Sequence, residues 1–342
     1  MMHTSNIKIR EEDKRAIDRL QIFIPDKLFD AHAHLYDCSF APNIASPGSI
    51  FHQCGKIVMA ADYHRLQAPL YGDNKKIRLN IVSVPDESMT DLSNGRREAS
   101  TRFLCSQLVA YPECVGEVFV LPDDKVSDIE AQLIHPRIRG FKCYHSCAKD
   151  KPTWQADISS YLPESAWIAA NEHGFCITLH MVKDDALSDP DNLDYVQRMC
   201  SKYPHAKLIL AHCARGFAAW TVIESVRYLK DFKNIYYDIS AICESPAIYE
   251  VIKVSGVHKV LWGSDFPVSM FRGKCISIAD QFLWLYQDQI DSYKLVISVD
   301  MSLVGIEGLL AFQQAAHMLK LSREEIENIF YHNAMALFQL TE

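Results

Sequence analysis

Hydrophobic positions along this chain form short apolar runs that are separated by longer segments with helical spacing. The runs that predict β-strands are residues 27–36, 77–85, 115–122, 137–144, 175–181, 207–212, 234–240 and 259–265. The segments that predict helices are 93–111, 126–134, 163–173, 191–203, 218–232 and 245–254, with a further helix expected near 50–61. Strands that alternate with helices indicate βαβ units and a parallel sheet, and eight such repeats favour a closed (β/α)₈ TIM barrel over an open sheet.

The segments on either side of these repeats follow other patterns. Residues 1–26 are interpreted as an N-terminal extension with a short amphipathic lead. Residues 268–300 lose the regular spacing and predict a loop-and-helix insertion after the eighth strand. Two helices, 303–319 and 322–340, are predicted to follow, and Ser322 opens a Ser-Arg-Glu-Glu capping box at the start of the second. Since no repeat or linker interrupts the pattern, the sequence predicts one barrel domain over residues 1–342.

Composition excludes several classes of protein. The 342 residues, 49% of them hydrophobic, suffice for a barrel of about 250 residues with insertions. The net charge of −8 comes without a cluster of Lys and Arg, so nucleic acid is not an expected partner. No apolar run reaches the roughly 18 residues of a membrane span, and the polar N-terminus does not resemble a signal peptide. The 11 cysteines, an odd number, often lie inside apolar runs and indicate a reducing compartment, so we expect a cytoplasmic protein.

Histidines and one aspartate occupy positions that suit a metal site. His32 and His34 are two residues apart on a predicted strand, so their side chains lie on the same face. His180, His212 and Asp265 each stand where a predicted strand stops being hydrophobic. Any one of them could be a core or capping residue. Together they predict a catalytic metal site, because the active site of a barrel lies at the carboxyl ends of its strands.

Six segments of the chain resemble the amidohydrolase superfamily, in its branch related to amino-carboxymuconate-semialdehyde decarboxylase. They are Phe-Asp-Ala-His-Ala-His at 29–34, Gly-Phe-Lys-Cys-Tyr at 140–144, Ile-Thr-Leu-His at 177–180, Leu-Ile-Leu-Ala-His-Cys-Ala-Arg at 208–215, Asn-Ile-Tyr-Tyr-Asp-Ile-Ser-Ala at 234–241 and Leu-Trp-Gly-Ser-Asp-Phe-Pro at 261–267. The resemblance implies that His212 contacts the reacting group. It also implies that one divalent cation, Zn²⁺ or alternatively Mn²⁺, is held by four residues: His32, His34, His180 and Asp265.

The branch includes lactonases, other hydrolases, decarboxylases, hydratases and isomerases, so the resemblance leaves the reaction open. We expect hydrolysis of a small, anionic, cyclic substrate such as a lactone, with Asp265 as the proton shuttle and His212 beside the oxyanion or the attacking water. The alternative reaction is non-oxidative decarboxylation of an unsaturated or aromatic acid. The alternative of another class is an inactive barrel that acts as a binding protein. The sequence leaves open whether the protein forms a homo-oligomer.

Candidate substrate contacts come from four further positions. Lys142 near the end of the fourth strand could bind a substrate carboxylate, bridge two metals as a carboxylated lysine, or be structural, and we favour the first. Arg215, and with less support Arg272, could clamp a carboxylate through two hydrogen bonds. Tyr36 projects from a strand end and is also a candidate. The role of Asp30, which precedes the histidine pair, stays open.

Overall fold

The computed structural model describes residues 9–46, 49, 51, 54–293 and 299–341. Its main sheet has nine strands, and a two-stranded hairpin lies outside this sheet. The strands, in chain order, are β1 (Lys27–Asp37), β2 (Ile57–Val58), β3 (Lys76–Ser83), β4 (Val115–Phe119), β5 (Ile138–Cys143), β6 (Cys176–Leu179), β7 (Lys207–Leu210), β8 (Ile235–Asp238), β9 (Val260–Leu261), and the hairpin strands β10 (Gly273–Ile278) and β11 (Gln281–Tyr286).

Helices connect and cover these strands. They are α1 (Glu11–Leu20), α2 (Ala60–Leu66), α3 (Arg96–Ala110), α4 (Val126–Glu130), α5 (Glu164–His173), α6 (Pro190–Lys202), α7 (Trp220–Ser225), α8 (Ser245–Ser255), α9 (Gln287–Ser292), α10 (Val304–Leu319), α11 (Arg323–Glu327) and α12 (Asn333–Leu337). A π-helical turn, Asn328–His332, joins α11 to α12. Within the described ranges, no helix is long and apolar enough to cross a membrane.

The parallel strands close into a barrel. β1 and β3 to β9 follow one another around the sheet in sequence order, while β2 pairs antiparallel with β1 on its other side. The segment that follows β9 is hydrogen-bonded to β1, which closes the sheet. The Asp265 N–H donates to the His32 carbonyl at 2.8 Å, and the His34 N–H donates to the Phe266 carbonyl at 2.7 Å. The predicted (β/α)₈ TIM barrel is therefore confirmed.

The N-terminal extension packs onto the segment that follows β9. Asp13 in α1 is fully buried, and its carboxylate accepts hydrogen bonds of 2.7 and 3.1 Å from the Arg272 guanidinium. Arg272 also donates to the Met301 carbonyl at 2.8 Å. Arg272 therefore has a structural partner in Asp13, and its position does not require a contact with substrate.

The helix predicted near residues 50–61 is present but begins later than expected. Residues 50, 52 and 53 lie outside the described residues, but the described part contains strand β2 and only then α2, which begins at Ala60. The long strand β1 extends past its parallel neighbour, and its end pairs with β2 through Tyr36 opposite Val58. The predicted helix 218–232 is shorter than expected, since α7 ends at Ser225 and the 3₁₀ turn Val226–Leu229 follows.

The insertion over residues 268–300 contains a β-hairpin that the sequence pattern does not predict. β10 and β11 pair antiparallel from Gly273 opposite Tyr286 to Ile278 opposite Gln281. Two residues form the turn, and Ala279 has a φ of 54°, which is the left-handed conformation that tight hairpin turns require. The predicted helix of the insertion follows as α9.

Candidate metal centre and active site

The two histidines of β1 are oriented by acceptors behind them. The His32 Nδ1–H donates to Asp238 Oδ2 at 3.0 Å, and the His34 Nδ1–H donates to the Val82 carbonyl at 3.1 Å. In this tautomer both Nε2 atoms carry lone pairs. The two Nε2 atoms lie 3.2 Å apart, where their lone pairs repel unless a cation or a proton lies between them. The pair is therefore arranged as a chelate.

Asp265 completes a group of three ligand atoms. Its Oδ1 lies 3.4 Å from His34 Nε2 and 3.7 Å from His32 Nε2, and one ligand atom of each residue falls within 4.8 Å of the others. Two nitrogens bound to one zinc at about 2.0–2.1 Å lie roughly 3 to 3.4 Å apart at usual bond angles. Burial alone would raise the pKa of Asp265, but His212 and the two β1 histidines hold it below its ordinary value. The three groups fit a divalent cation.

His180 lies at the end of β6, beside this group rather than within it. Its ring centroid is 5.1 Å from that of His212 and 4.8 Å from that of Tyr144. Burial lowers the pKa of His180 well below its ordinary value, so the imidazole is neutral and able to serve as a ligand. Its assignment as a fourth metal ligand stays a prediction.

His212 follows β7 in a left-handed turn. Four consecutive residues of the turn have positive φ, from 51° to 61°: His212, Cys213, Ala214 and Arg215. Such a conformation is costly for residues other than glycine and is concentrated at functional sites. The His212 Nδ1–H donates to the Ser240 carbonyl at 3.0 Å, and its ring stacks on that of His32 at 5.1 Å. Nε2 is thereby left for a ligand or substrate.

Asp238 joins the two histidine positions. Besides the His32 ring, its carboxylate accepts the His212 N–H at 3.1 Å and the Ser240 N–H at 3.1 Å. Burial alone would raise the pKa of Asp238, but the His32 imidazole beside it holds the pKa of this fully buried carboxyl well below its usual range. The sequence suggests only barrel packing and hydrogen bonding for Asp238. The structure adds its hydrogen bond to the His32 ring.

The structure resolves the orientation of Asp30. The pairing of β1 with β3 shifts between Asp30 and Ala33, which breaks the simple alternation of side chains along β1. The Asp30 carboxylate accepts hydrogen bonds from the His32 N–H at 3.1 Å, the Ser264 N–H at 2.9 Å and the Tyr63 hydroxyl at 2.7 Å. Burial raises the pKa of Asp30 to about 6. Asp30 thus ties β1 to the segment that carries Asp265.

Two ionisable residues, Lys142 and Glu117, are buried inside the barrel, and only Lys142 could be singled out from the sequence. Lys142 is 1% exposed, and it forms no hydrogen bond or ion pair with the residues that the structure describes. Burial lowers the pKa of Lys142, and the negative charge of Glu117 opposes this shift. Glu117 accepts hydrogen bonds from Asn80 and Thr178, while its Oε2 has no hydrogen-bond partner among the described residues, and burial raises the pKa of Glu117 to about 7. The only sequence signal for Glu117 is a carboxylate within an apolar strand.

The remaining two predicted contacts lie in different surroundings. Arg215 Nη1 donates to the Lys183 carbonyl at 2.7 Å, and its guanidinium lies over the Phe282 ring at 5.0 Å. The Tyr36 hydroxyl is buried and donates to the Gly55 carbonyl at 3.3 Å, in the connection between β1 and β2. Substrate binding by either residue stays a prediction.

Comparison with known proteins identifies the family to which this chain belongs. A family model described as amidohydrolase matches residues 29–340. This match confirms the resemblance that the sequence motifs indicate. No curated protein matched this chain.

Solved structures support the fold. A 5-carboxyvanillate decarboxylase from Sphingomonas paucimobilis is 13% identical, with a TM-score of 0.56 over 93% of this chain and 100% of that chain. An amidohydrolase from Burkholderia multivorans with bound zinc is 13% identical, with a TM-score of 0.57 over 92% and 99%. A Pseudomonas putida protein whose proposed activity is 2-pyrone-4,6-dicarboxylic acid hydrolysis is 17% identical, with a TM-score of 0.54 over 92% and 98%. At these identities the likeness concerns the fold.

Proposed function

Because the chain belongs to the amidohydrolase family, we propose that it is a metal-dependent hydrolase of a small, anionic, cyclic substrate such as a lactone. One observation carries this proposal. The His32 and His34 Nε2 atoms face each other at 3.2 Å beside the Asp265 carboxylate, and the second nitrogen of each ring is held by an acceptor. An arrangement of oriented imidazoles and a carboxylate is one that a catalytic zinc site uses.

The proposed ligands are His32, His34 and Asp265, with His180 as the fourth, and the proposed ion is a single Zn²⁺ or alternatively Mn²⁺. When bound, a divalent cation lowers the pKa of a water molecule towards about 7 and polarises an oxygen of the substrate. Among the described residues, Lys142 forms no hydrogen bond or ion pair that a substrate anion would have to replace. We therefore propose one metal ion and an unmodified Lys142.

Proton transfer falls to Asp265. Its Oδ1 faces the histidines, whereas Oδ2 forms no hydrogen bond within the described part of the chain. Oδ2 can accept a proton from the attacking water and return it to the leaving oxygen when the ring ester opens. His212 presents Nε2 to the same space, since its Nδ1 is held by Ser240, and it can orient the attacking water. The proposed anion contacts are Lys142 and Arg215.

The test combines metal analysis with a substrate screen. The protein is loaded with zinc or manganese, and carboxylated lactones are assayed for ring opening by proton release at constant pH. Carbon dioxide release from aromatic and unsaturated carboxylic acids is measured in parallel. Ring opening that disappears on chelation supports the proposal. Carbon dioxide release without ring opening establishes the decarboxylase alternative, and a protein without stoichiometric metal or either activity points to a binding protein.

A further inference from the structure

Arg215 is contacted by three different segments at the open end of the barrel. Lys183, after β6, accepts its Nη1 hydrogen bond at 2.7 Å. Its guanidinium carbon lies 5.9 Å from the ring centroid of Trp154, which follows β5, and 5.0 Å from that of Phe282, which belongs to the hairpin strand β11. The side chain is therefore fixed by a carbonyl and two aromatic rings.

The β10–β11 hairpin is attached to the same end of the barrel. Phe217 packs its ring 5.0 Å from Phe282 and 5.6 Å from Trp284, and it stacks on His212 at 5.3 Å. The Ser277 hydroxyl of β10 donates to the Phe217 carbonyl at 3.2 Å. A continuous series of aromatic contacts thus runs from the candidate active site to the hairpin.

The contacts of Arg215 leave most of its hydrogen-bonding capacity unused. A guanidinium has five N–H groups in one plane, and within the described residues Arg215 forms one hydrogen bond and no ion pair. Aromatic rings stack on the two faces of a guanidinium, so the N–H groups along its edge stay available. Two of these N–H groups can donate parallel hydrogen bonds to one carboxylate. Trp154, which contacts Arg215, has its ring centroid 4.0 Å from that of His145, and the His145 centroid lies 6.1 Å from that of His180, so Arg215 lies on the active-site side of the hairpin.

We propose that Phe282 and Trp154 are positioning residues that hold Arg215 for a substrate carboxylate, and that the inner face of the hairpin selects a planar ring. This inference rests on the proposed function and names its substrate class as planar cyclic carboxylates. Flat rings pack against aromatic faces in offset or edge arrangements that a puckered ring cannot match. Side chains alternate along β11, so Leu283, which is 45% exposed, faces away from Phe282.

The experiment measures binding of two carboxylates of similar size to the zinc-loaded full chain by calorimetry. Benzoate is flat, and cyclohexanecarboxylate is puckered. We expect wild-type protein to prefer benzoate. Phe282→Leu and Trp154→Leu each weaken benzoate binding by about 2- to 30-fold, the range that loss of a cation–π contact gives. The ratio of the benzoate affinity to the cyclohexanecarboxylate affinity then falls towards one. Arg215→Gln weakens both ligands.

Matched variants separate positioning from general damage. Phe282→Tyr retains a ring over the guanidinium and keeps the preference, and Leu283→Ala alters the outer face of the same strand and leaves binding unchanged. Trp154 is 53% exposed, so Trp154→Leu folds even if Phe282→Leu does not. Metal-loaded wild-type protein that binds both carboxylates equally, or neither, overturns the inference, as does an unchanged preference in both Leu variants. Wild-type protein that holds no metal overturns the proposed function instead.

Discussion

Replacing Asp238 with Asn changes the hydrogen-bonding pattern around His32 while keeping the side-chain shape. The carboxylate uses Oδ1 to accept the His212 and Ser240 N–H groups and Oδ2 to accept the His32 Nδ1–H. An amide whose oxygen keeps the two backbone contacts presents an NH₂ group to His32 Nδ1. That nitrogen must then become the acceptor, which moves the proton of the imidazole to Nε2. Nε2 faces His34 Nε2 at 3.2 Å, so the proton occupies the position proposed for the metal.

The expected loss is substantial because the histidine has to change tautomer before it can bind a cation. Replacing a carboxylate that orients a metal-binding histidine typically costs 10- to 100-fold in metal affinity. Such a loss corresponds to about 1.4–2.7 kcal/mol. The fully buried setting of Asp238 and the second contact to the His212 backbone favour the upper part of this range.

The assay is competition for zinc between the protein and a chromophoric chelator, with circular dichroism as a check on folding. Ser240→Ala is the matched control, because it removes a hydroxyl that lies 3.4 Å from His32 Nδ1 and also contacts Asp238 and His212, but it leaves the closer acceptor of His32, Asp238 Oδ2 at 3.0 Å, in place. We expect less than about a threefold change in this variant. A folded Asp238→Asn protein with wild-type zinc affinity would refute the tautomer argument.

Three further predictions concern other parts of the molecule. Asp265→Asn lowers kcat by about 10²–10⁴ because an amide cannot take up the proton, and it weakens metal binding, whereas His212→Asn is slow but keeps its metal; the reverse pattern in kcat and metal content would contradict these roles. Lys142→Met, which keeps the length of the side chain, raises KM for anionic substrates and leaves metal content unchanged; an equal KM excludes the anion contact. Arg272→Met leaves Asp13 as an uncompensated buried charge and lowers the free energy of unfolding by about 3–5 kcal/mol in urea titrations, and a loss below about 1 kcal/mol would show that the pair is dispensable.

The barrel and the chelating pair were accessible from the sequence because both depend on periodicity. Apolar runs of strand length at regular intervals predict the parallel strands, and a spacing of two places His32 and His34 on one face. Asp265 could be predicted from its position at the end of the last strand. The orientation of Asp30 could not, because the register shift between Asp30 and Ala33 interrupts the alternation on which such a prediction relies.

Features without a periodic signal were missed. Residues 281–286 read Gln-Phe-Leu-Trp-Leu-Tyr, and apolar side chains lie on both faces of β11, so no alternation marks the strand. The partners of Glu117 and Asp238 lie on strands that are distant in sequence. A single sequence does not reveal such pairs, since the contact between two side chains depends on register and barrel closure rather than on local spacing.

The seam where the barrel closes has a consequence for how the chain folds. Asp265 and His32 meet there through a backbone hydrogen bond, so the proposed ligands lie on both sides of the junction between the first and last parallel strands. Almost all of the barrel sequence separates them, and such non-local contacts form late because a long loop must close first. During synthesis, the edge of β1 that pairs with the segment around Asp265 stays uncovered until that segment has been made. A cation bound by ligands on both sides of the seam would then stabilise the native state, but only after the barrel has closed.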